Sequence, residues 1–418
     1  MSIYLILKGE ITMIKTKKML ALGVGLIMTT SLFAGCSTDG FALVKTFTKS
    51  QTINSMQSKT DISLKVSGTN MSIKEKQMMD TVLPSINGTK ISMVTKTNQN
   101  ADRTISKMQS DISLQLVQSP DPINMSIWVN TDITGEKPVI NELYKIPQLL
   151  SSQLPTELKG KEYMAMDLAN MPSTPGMPKT DYKKLMAFSK EFQPKLTDFI
   201  VKYAKQFNPT TKYVTYIGSQ SFLQDNVIQA TDTYEVKLND KSFKDLMHYT
   251  LNNLSESKDA MSFTQDYMKA MMSVYDVTDG QDKTSKDEIN KAFGDITTQL
   301  PQQLKSMNKS LESIDNLKIL GDKGITIRYT INKDGYVVNE KGNAEFVVDL
   351  PSINKLASKT AVASNSDQTG IYTIGIDFNT DITNINKNID IVLPKINSTN
   401  SFNYNDILKL SNTKLPTN

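Results

Sequence analysis

The chain has 418 residues, 39% hydrophobic and 22% charged, and its formal net charge is +4 at pH 7. That is enough length and apolar content for one large domain or two ordinary ones. The single cysteine excludes an intramolecular disulfide, a Cys-x-x-Cys redox pair and a thiolate zinc cluster, and the single histidine excludes a His-x-x-x-His metalloprotease site.

Residues 1–35 hold Lys8, Lys15, Lys17 and Lys18 against Glu10, which is three of the excess charges. The remainder carries a net of +1 and offers no electrostatic case for nucleic acid. Lys15-Thr16-Lys17-Lys18 precedes an uncharged apolar run from Met19 to Phe33. This is the charged n-region and short h-region of an export signal. At about 15 residues it falls short of the ~20 that a permanent span needs. Lys8-Gly9-Glu10 can be encoded by a purine-rich ribosome-binding sequence, so translation is expected to start at Met13.

Leu32-Phe33-Ala34-Gly35-Cys36 resembles a bacterial lipobox, with Phe33 where leucine is usual. The resemblance implies that the Cys36 thiol receives diacylglycerol, that residues 1–35 are cut away, and that the new amino terminus is acylated, palmitate being such a group. Two or more chains anchor stably, since each buried methylene adds ~0.8 kcal/mol. The expected address is the extracytoplasmic face of the cell membrane, reached through the lipid on Cys36. The competing reading is an ordinary secreted protein cut at an Ala-x-Ala-like site.

Residues 36–44 are expected to be a lipidated tether, with a helix over roughly 41–57. From about 59 the period changes to two. Asp61 to Ser67, Lys90 to Val94, Asp111 to Leu116 and Asn124 to Val129 alternate polar and apolar, which predicts a sheet with one face buried and one wet. Asn87-Gly88 is a turn signal before the second of these strands. Glu162 to Leu168 is a further strand. Residues 171–180 hold three prolines and a glycine and form the best internal break.

A helix is predicted over 181–207, with Leu185, Phe192, Leu196, Phe199, Ile200, Tyr203 and Phe207 as its stripe and a kink at Pro194. Strands follow near 211–220 and 226–238. Some 75 helical residues come next. Ser242-x-x-Asp245 opens one helix, Met261 to Tyr275 make a methionine-rich stripe, and Ser285-x-x-Glu288 reads as a capping box ahead of Ile289, Phe293, Leu300, Leu304 and Leu311. Asp334-Gly335 signals a type I′ hairpin between Ile325–Asn332 and Tyr336–Asn339. Further strands are placed near 343–350, 370–380 and 385–393, and 401–418 is read as a polar tail. About eleven strands with three or four helices set between strand blocks give an α+β pattern with antiparallel pairing.

A lipobox, a short N-terminal helix, alternating strands and inserted helices together resemble the LolA/LppX-like lipoproteins. The resemblance covers about 45–400 and implies a large curved antiparallel sheet, an unclosed half-barrel whose concave face is covered by amphipathic helices. Members of that family carry lipids or acyl chains in the apolar space between. One stretched half-barrel and two tandem halves are both open. Tyr144-Lys145-Ile146-Pro147 through Gly160-Lys161-Glu162-Tyr163 also looks like clostridial-type lipoproteins of unassigned function.

Met261, Met268, Met271, Met272, Phe293, Leu300, Leu304 and Trp128 are the candidates to line an apolar cavity, against the alternative that they are plain core. His248 is read as structural or surface, having no second histidine or cysteine to share a metal. Ser-x-x-Lys at Ser255, Ser306 and Ser352 lacks the companion elements of penicillin-binding enzymes. Asp276 to Asp282 resembles a calcium loop only in part, because Tyr275 and Lys286 fall on its first and last ligand positions. No catalytic residue, metal or cofactor is assigned. The expected function is a non-enzymatic envelope lipoprotein that binds a lipid or other apolar ligand. The alternative is a structural or protein-interaction lipoprotein with a filled core, and an enzyme using carboxylates and lysines alone is a third, weaker reading.

Overall fold

Alternating sequence becomes strand throughout the chain, and the strands form one sheet. In a computed structural model that describes residues 37–151, 153–170, 182–274, 283–359 and 368–413, twelve strands occur. They are β1 (Ser55–Thr69), β2 (Lys90–Gln99), β3 (Ile105–Gln115), β4 (Ile123–Asp132), β5 (Val139–Lys145), β6 (Tyr163–Asp167), β7 (Val214–Gln224), β8 (Val227–Leu238), β9 (Leu320–Asn332), β10 (Val337–Asp349), β11 (Ile371–Thr383) and β12 (Ser401–Asn403). Their order is β12-β6-β5-β4-β3-β2-β1-β11-β10-β9-β8-β7. Two meanders therefore meet where β1 pairs with β11, and the sheet stays open, with β12 and β7 at its ends. The pairings are antiparallel except that β12 runs parallel to β6. The helices are α1 (Thr38–Ser50), α2 (Ile73–Ile86), the one-turn α3 (Gln148–Ser151), α4 (Tyr182–Gln206), α5 (Asp240–Glu256), α6 (Lys258–Val274), α7 (Lys283–Glu312), α8 (Leu350–Lys359) and α9 (Tyr404–Thr413). The fold is α+β with an unclosed sheet.

Two units make up the chain: residues 1–48, 178–215 and 241–315 form one, and residues 49–177, 216–240 and 316–418 the other. In the helical unit α4 packs on α6, and α6 on α7. Rings do much of this work. Phe263 stacks on Phe199 at 4.3 Å between centroids, and Phe192 lies 5.0 Å from Phe263 and 5.1 Å from Tyr267. Phe192, Phe199, Ile200, Tyr203 and Phe207 of the predicted α4 stripe are all buried. Phe263 belongs to the interface although its neighbours in the methionine-rich stripe drew the attention. Leu300, Leu304 and Leu311 of α7 are buried, whereas Met307 of the same helix is 41% exposed.

The structure departs from the sequence reading at several places, each with a local cause. The first helix begins at Thr38, inside the expected tether, and ends at Ser50 because β1 begins at Ser55 and pairs from there. The β9–β10 hairpin is not type I′. Gly335 alone takes a positive φ, +83°, and a three-residue loop spans Asn332 to Tyr336, the geometry of a type I turn with a bulge. The two-residue type I′ turn is at Asp225-Asn226, where φ is 51° and 63°.

The turn expected at Asn87-Gly88 is present just ahead of β2, and what it follows is a helix, α2. Asn87 caps the helix, and its side chain also docks on the Val66 backbone, accepting at 2.6 Å and donating at 2.9 Å. Helix α7 starts at Lys283, ahead of Ser285, so the expected capping box lies inside its first turn. Residues 385–393 are not a strand. They leave the sheet through Asn384 and Asn386, both at positive φ, and cross it instead. The supposed polar tail forms β12, with Phe402 buried, and α9. Cys36, the leader, the break at 171–180 and the Asp276–Asp282 loop lie outside the described residues.

Candidate functional site

Register assigns each strand side chain to one of two faces. A row across the sheet at Ile62 runs through Ile123, Leu114, Ile91, Ile62, Phe378, Gly342, Ile327 and Val236. One residue along β1 the faces exchange, and the row at Asp61 reads Asn124, Ser113, Ser92, Asp61, Asn379, Lys341, Arg328 and Glu235. One face is thus apolar over eight strands and the other polar.

The apolar face is rich in methionine. Met56 of β1, Met93 of β2, Met108 of β3, Met125 of β4 and Met164 and Met166 of β6 all stand on it. Each is half-buried. So are Ile62, Leu64, Ile91, Ile112, Leu114, Ile376 and Phe378 around them. Towards β8 and β9 the face is sealed: Val236 and Leu238 are each 4% exposed, Tyr329 3%, Ile331 7% and Leu320 0%. Gly342 is bare for a reason, since a Cβ there would meet the Thr326 carbonyl oxygen at 2.5 Å and the Phe378 ring at 3.0 Å.

Polar residues interrupt this face as well: one row carries Ser58, Thr95 and Ser110, the last two bonded at 3.0 Å, and the next is also mixed. It runs Met125, Ile112, Met93, Thr60, Thr380, Glu340, Tyr329 and Tyr234. The Thr60 and Thr380 hydroxyls are hydrogen-bonded at 2.9 Å. The buried Tyr329 hydroxyl donates to Glu340, whose carboxyl burial pushes above its ordinary range. A carboxyl so placed is held among apolar neighbours without a cation. Further along, Tyr144 donates to Glu142, and burial together with that carboxylate pushes the phenol up to about 12.

The polar face has two regions. At its β4–β6 end Trp128 and Leu143 are buried with Ile389 and Ile391, and Tyr163, Ala165 and Leu393 pack around them. The crossing segment after β11 closes this cluster, and the Trp128 indole N–H has no partner within it. At the centre a furrow of about 660 Å³ is lined mainly by polar groups, among them Asp61, Ser63, Lys90, Arg328, Lys341, Asn343 and Asp377. Arg328 is already paired with Glu235 at 2.8 Å and Asp61 with Lys59 at 3.6 Å.

The candidates for an apolar cavity fall in both units. Trp128 belongs to the sheet unit and to its own closed cluster, while Met261, Met268, Leu300 and Leu304 belong to the helical unit. Met268, Leu300 and Leu304 are buried and Met261 half-buried, and the Met271, Met272 and Phe293 side chains lie outside the described residues. The sheet methionines were missed as a group. Met93, Met125, Met164 and Met166 carry a local signal as apolar positions of alternating strands, but only register shows that the six share a face.

His248 is structural in its contacts. Its Nδ1 is 2.5 Å from Asn308 Oδ1 and its Nε2 2.8 Å from Asp315 Oδ1, tying α5 to α7 and the turn after it. Among the described residues no His, Cys, Asp and Glu group is set to hold a metal ion, and no helix is long and apolar enough to cross a membrane. Comparison with protein families, with characterised proteins and with solved structures finds no significant match to this chain.

Proposed function

We propose that this chain is a non-enzymatic, LolA/LppX-like lipoprotein, tethered by a lipid on Cys36 to the extracytoplasmic face of the cell membrane, which holds a lipid or other apolar ligand on the methionine-rich face of its sheet. One observation carries the reading: a face apolar across many strands whose central side chains remain half-buried. Covering them with a ligand stabilises the complex by ~25 cal/mol per Å² removed from water. Methionine suits the task because its unbranched, polarizable side chain adapts to ligands of varied shape. The titratable groups with the most partners, Glu75 and His248, are engaged in fastening one element to another, which supports a binding role over a catalytic one.

The test is extraction of the folded protein, purified from membranes, with organic solvent and mass spectrometry of the extract, paired with uptake of a fluorescent acyl probe. Co-purified lipid and probe uptake that the double variant Met93→Asp, Met125→Asp abolishes are expected. A protein that yields no lipid and takes up no probe overturns the reading. Metabolic labelling with palmitate, lost in Cys36→Ala, tests the anchor separately.

A protein-interaction role is the second reading. Leu223, Val227 and Ile228 at the tip of the β7–β8 hairpin favour it, being 63%, 62% and 73% exposed.

A further inference from the structure

The row through Glu340 joins a carboxyl to two hydroxyls on the apolar face. Glu340 lies between two different surroundings: Phe378 and Ile62 on its half-buried side, and the sealed Val338 and Ile331 on the other. Two hydroxyls, Thr60 and Thr380, occupy the next two strands of the same row and are bonded to each other. Neither cross-strand neighbour of Glu340 is a cation: across β9 it meets Tyr329 and across β11 Thr380. A carboxyl and two hydroxyls at the border of an apolar surface are a polar fixture that packing alone does not require.

We propose that the ligand of this face is a single-chain amphiphile whose head is an uncharged or cationic hydrogen-bond donor, seated against Glu340 and the Thr60–Thr380 pair with its chain across the methionines. The inference rests on the apolar-ligand reading above and adds the polarity of the head. A hydroxyl or ammonium donates to the carboxyl, and the two threonine oxygens accept what remains. A carboxylate or phosphate head brings like charge to Glu340 in a poorly hydrated place and finds no cation in the row to offset it. The carboxyl lies above its ordinary range through burial, which is the state a donor head would relieve.

Competition of a fluorescent acyl probe by laurate, lauryl alcohol and dodecylammonium, all below micelle formation, tests this on the full mature protein. The alcohol and the ammonium are expected to compete at least about tenfold better than laurate, the scale of one charge-assisted hydrogen bond. Glu340→Gln is expected to remove most of that discrimination. Thr380→Val, which spares the carboxyl, is expected to weaken the alcohol alone and supplies a second variant should Glu340→Gln fold poorly. Equal competition by all three in the natural protein overturns the head assignment and leaves chain binding standing. Failure of the probe to bind at all removes both.

Discussion

Glu75 and Gly370 stand 295 positions apart and are joined by a hydrogen bond of 3.2 Å from the Gly370 N–H to the Glu75 carboxylate. The same carboxylate accepts from Ser72 N–H, from the N–H and hydroxyl of Thr369, and from the Tyr372 hydroxyl. With the reciprocal bond from Glu75 N–H to the Ser72 hydroxyl this is a capping box, and it also pins the start of α2 to the start of β11.

The Ser72 backbone bond does most to lower the Glu75 carboxyl, against burial, and the Ser72 hydroxyl, Gly370 and Thr369 add to it, bringing the value from 4.5 to about 2. Because the folded value is the lower one, the stabilisation is complete above the ordinary value and is lost as pH falls from there toward 2. Glu75→Gln places an amide N–H₂ against N–H donors. The variant is expected to melt several degrees lower at pH 7 and to show a flatter acid limb. Melting curves of both proteins between neutral pH and pH 3 check this, and parallel acid limbs would refute it.

His248 carries the opposite sign. Burial works to lower its value, but the bond to Asp315, the bond to Asn308 and the Asp315 charge outweigh it and raise it above 6.5. The Asn308 amide is oriented by its N–H₂, which donates to Asn252 Oδ1 at 2.9 Å, so both ring nitrogens face oxygen acceptors. Only the imidazolium donates from both. The link between α5 and α7 is therefore fully formed below the ordinary value and is lost as pH rises through the folded one. The chain has one histidine, so a proton NMR titration reads a single ring. An elevated midpoint that Asp315→Asn returns toward 6.5 is expected, and a midpoint unchanged by that substitution would show the ion pair to be idle.

The two pH-linked contacts show which parts of the molecule a sequence can disclose. Ser72-x-x-Glu75 is a readable helix start, yet α2 has Pro84 inside it and buries only Met79 among its apolar residues, so its pattern conceals it. Ile389, Ile391 and Leu393 alternate as a strand would, but their apolar side chains dock on Trp128 and Leu143, and the segment covers the sheet instead of pairing with it. The short β5, Val139–Lys145, mixes Glu142 and Lys145 with apolar residues and is recognisable only from its partners β4 and β6. For the candidate site the limit is of another kind. Met93, Met125, Met164 and Met166 stand at apolar positions of predicted strands, whereas Met56 falls in the expected helix and Met108 ahead of the expected strand, and the shared face arises from pairings between residues as distant as Ile62 and Phe378. Glu340 in Val337-Val338-Asn339-Glu340 carries no local sign that it faces inward.

The hairpin tip offers a test of the interaction reading. Strand β7 ends the sheet, and no residue from Val214 to Gln224 is charged, so the usual protection of an open edge by lysine is missing. Leu223 and Ile228 flank the Asp225-Asn226 turn and are both exposed. Leu223→Lys with Ile228→Lys is expected to change stability by no more than about 0.5 kcal/mol, as exposed sites do. If the tip is an interface it is also expected to lower self-association or partner capture about tenfold or more, measured by sedimentation velocity. An unchanged sedimentation profile would remove the tip from consideration.

Trp128 reports on the opposite face from the methionines. Its partners across β3 and β5 are Gln109 and Leu143, whereas its chain neighbours Ile127 and Val129 point to the methionine side. The indole is 7% exposed under Ile389 and Ile391. Ile391→Ala opens a gap in that cover and is expected to cost about 2–5 kcal/mol and to move the emission of the only tryptophan to the red. A ligand on the methionine face has the sheet backbone between itself and the indole, so saturation with an acyl probe is expected to leave the emission maximum where it was. A blue shift or strong quenching on saturation would mean that the ligand enters beside Ile391, and the site would then belong to the other side of the sheet.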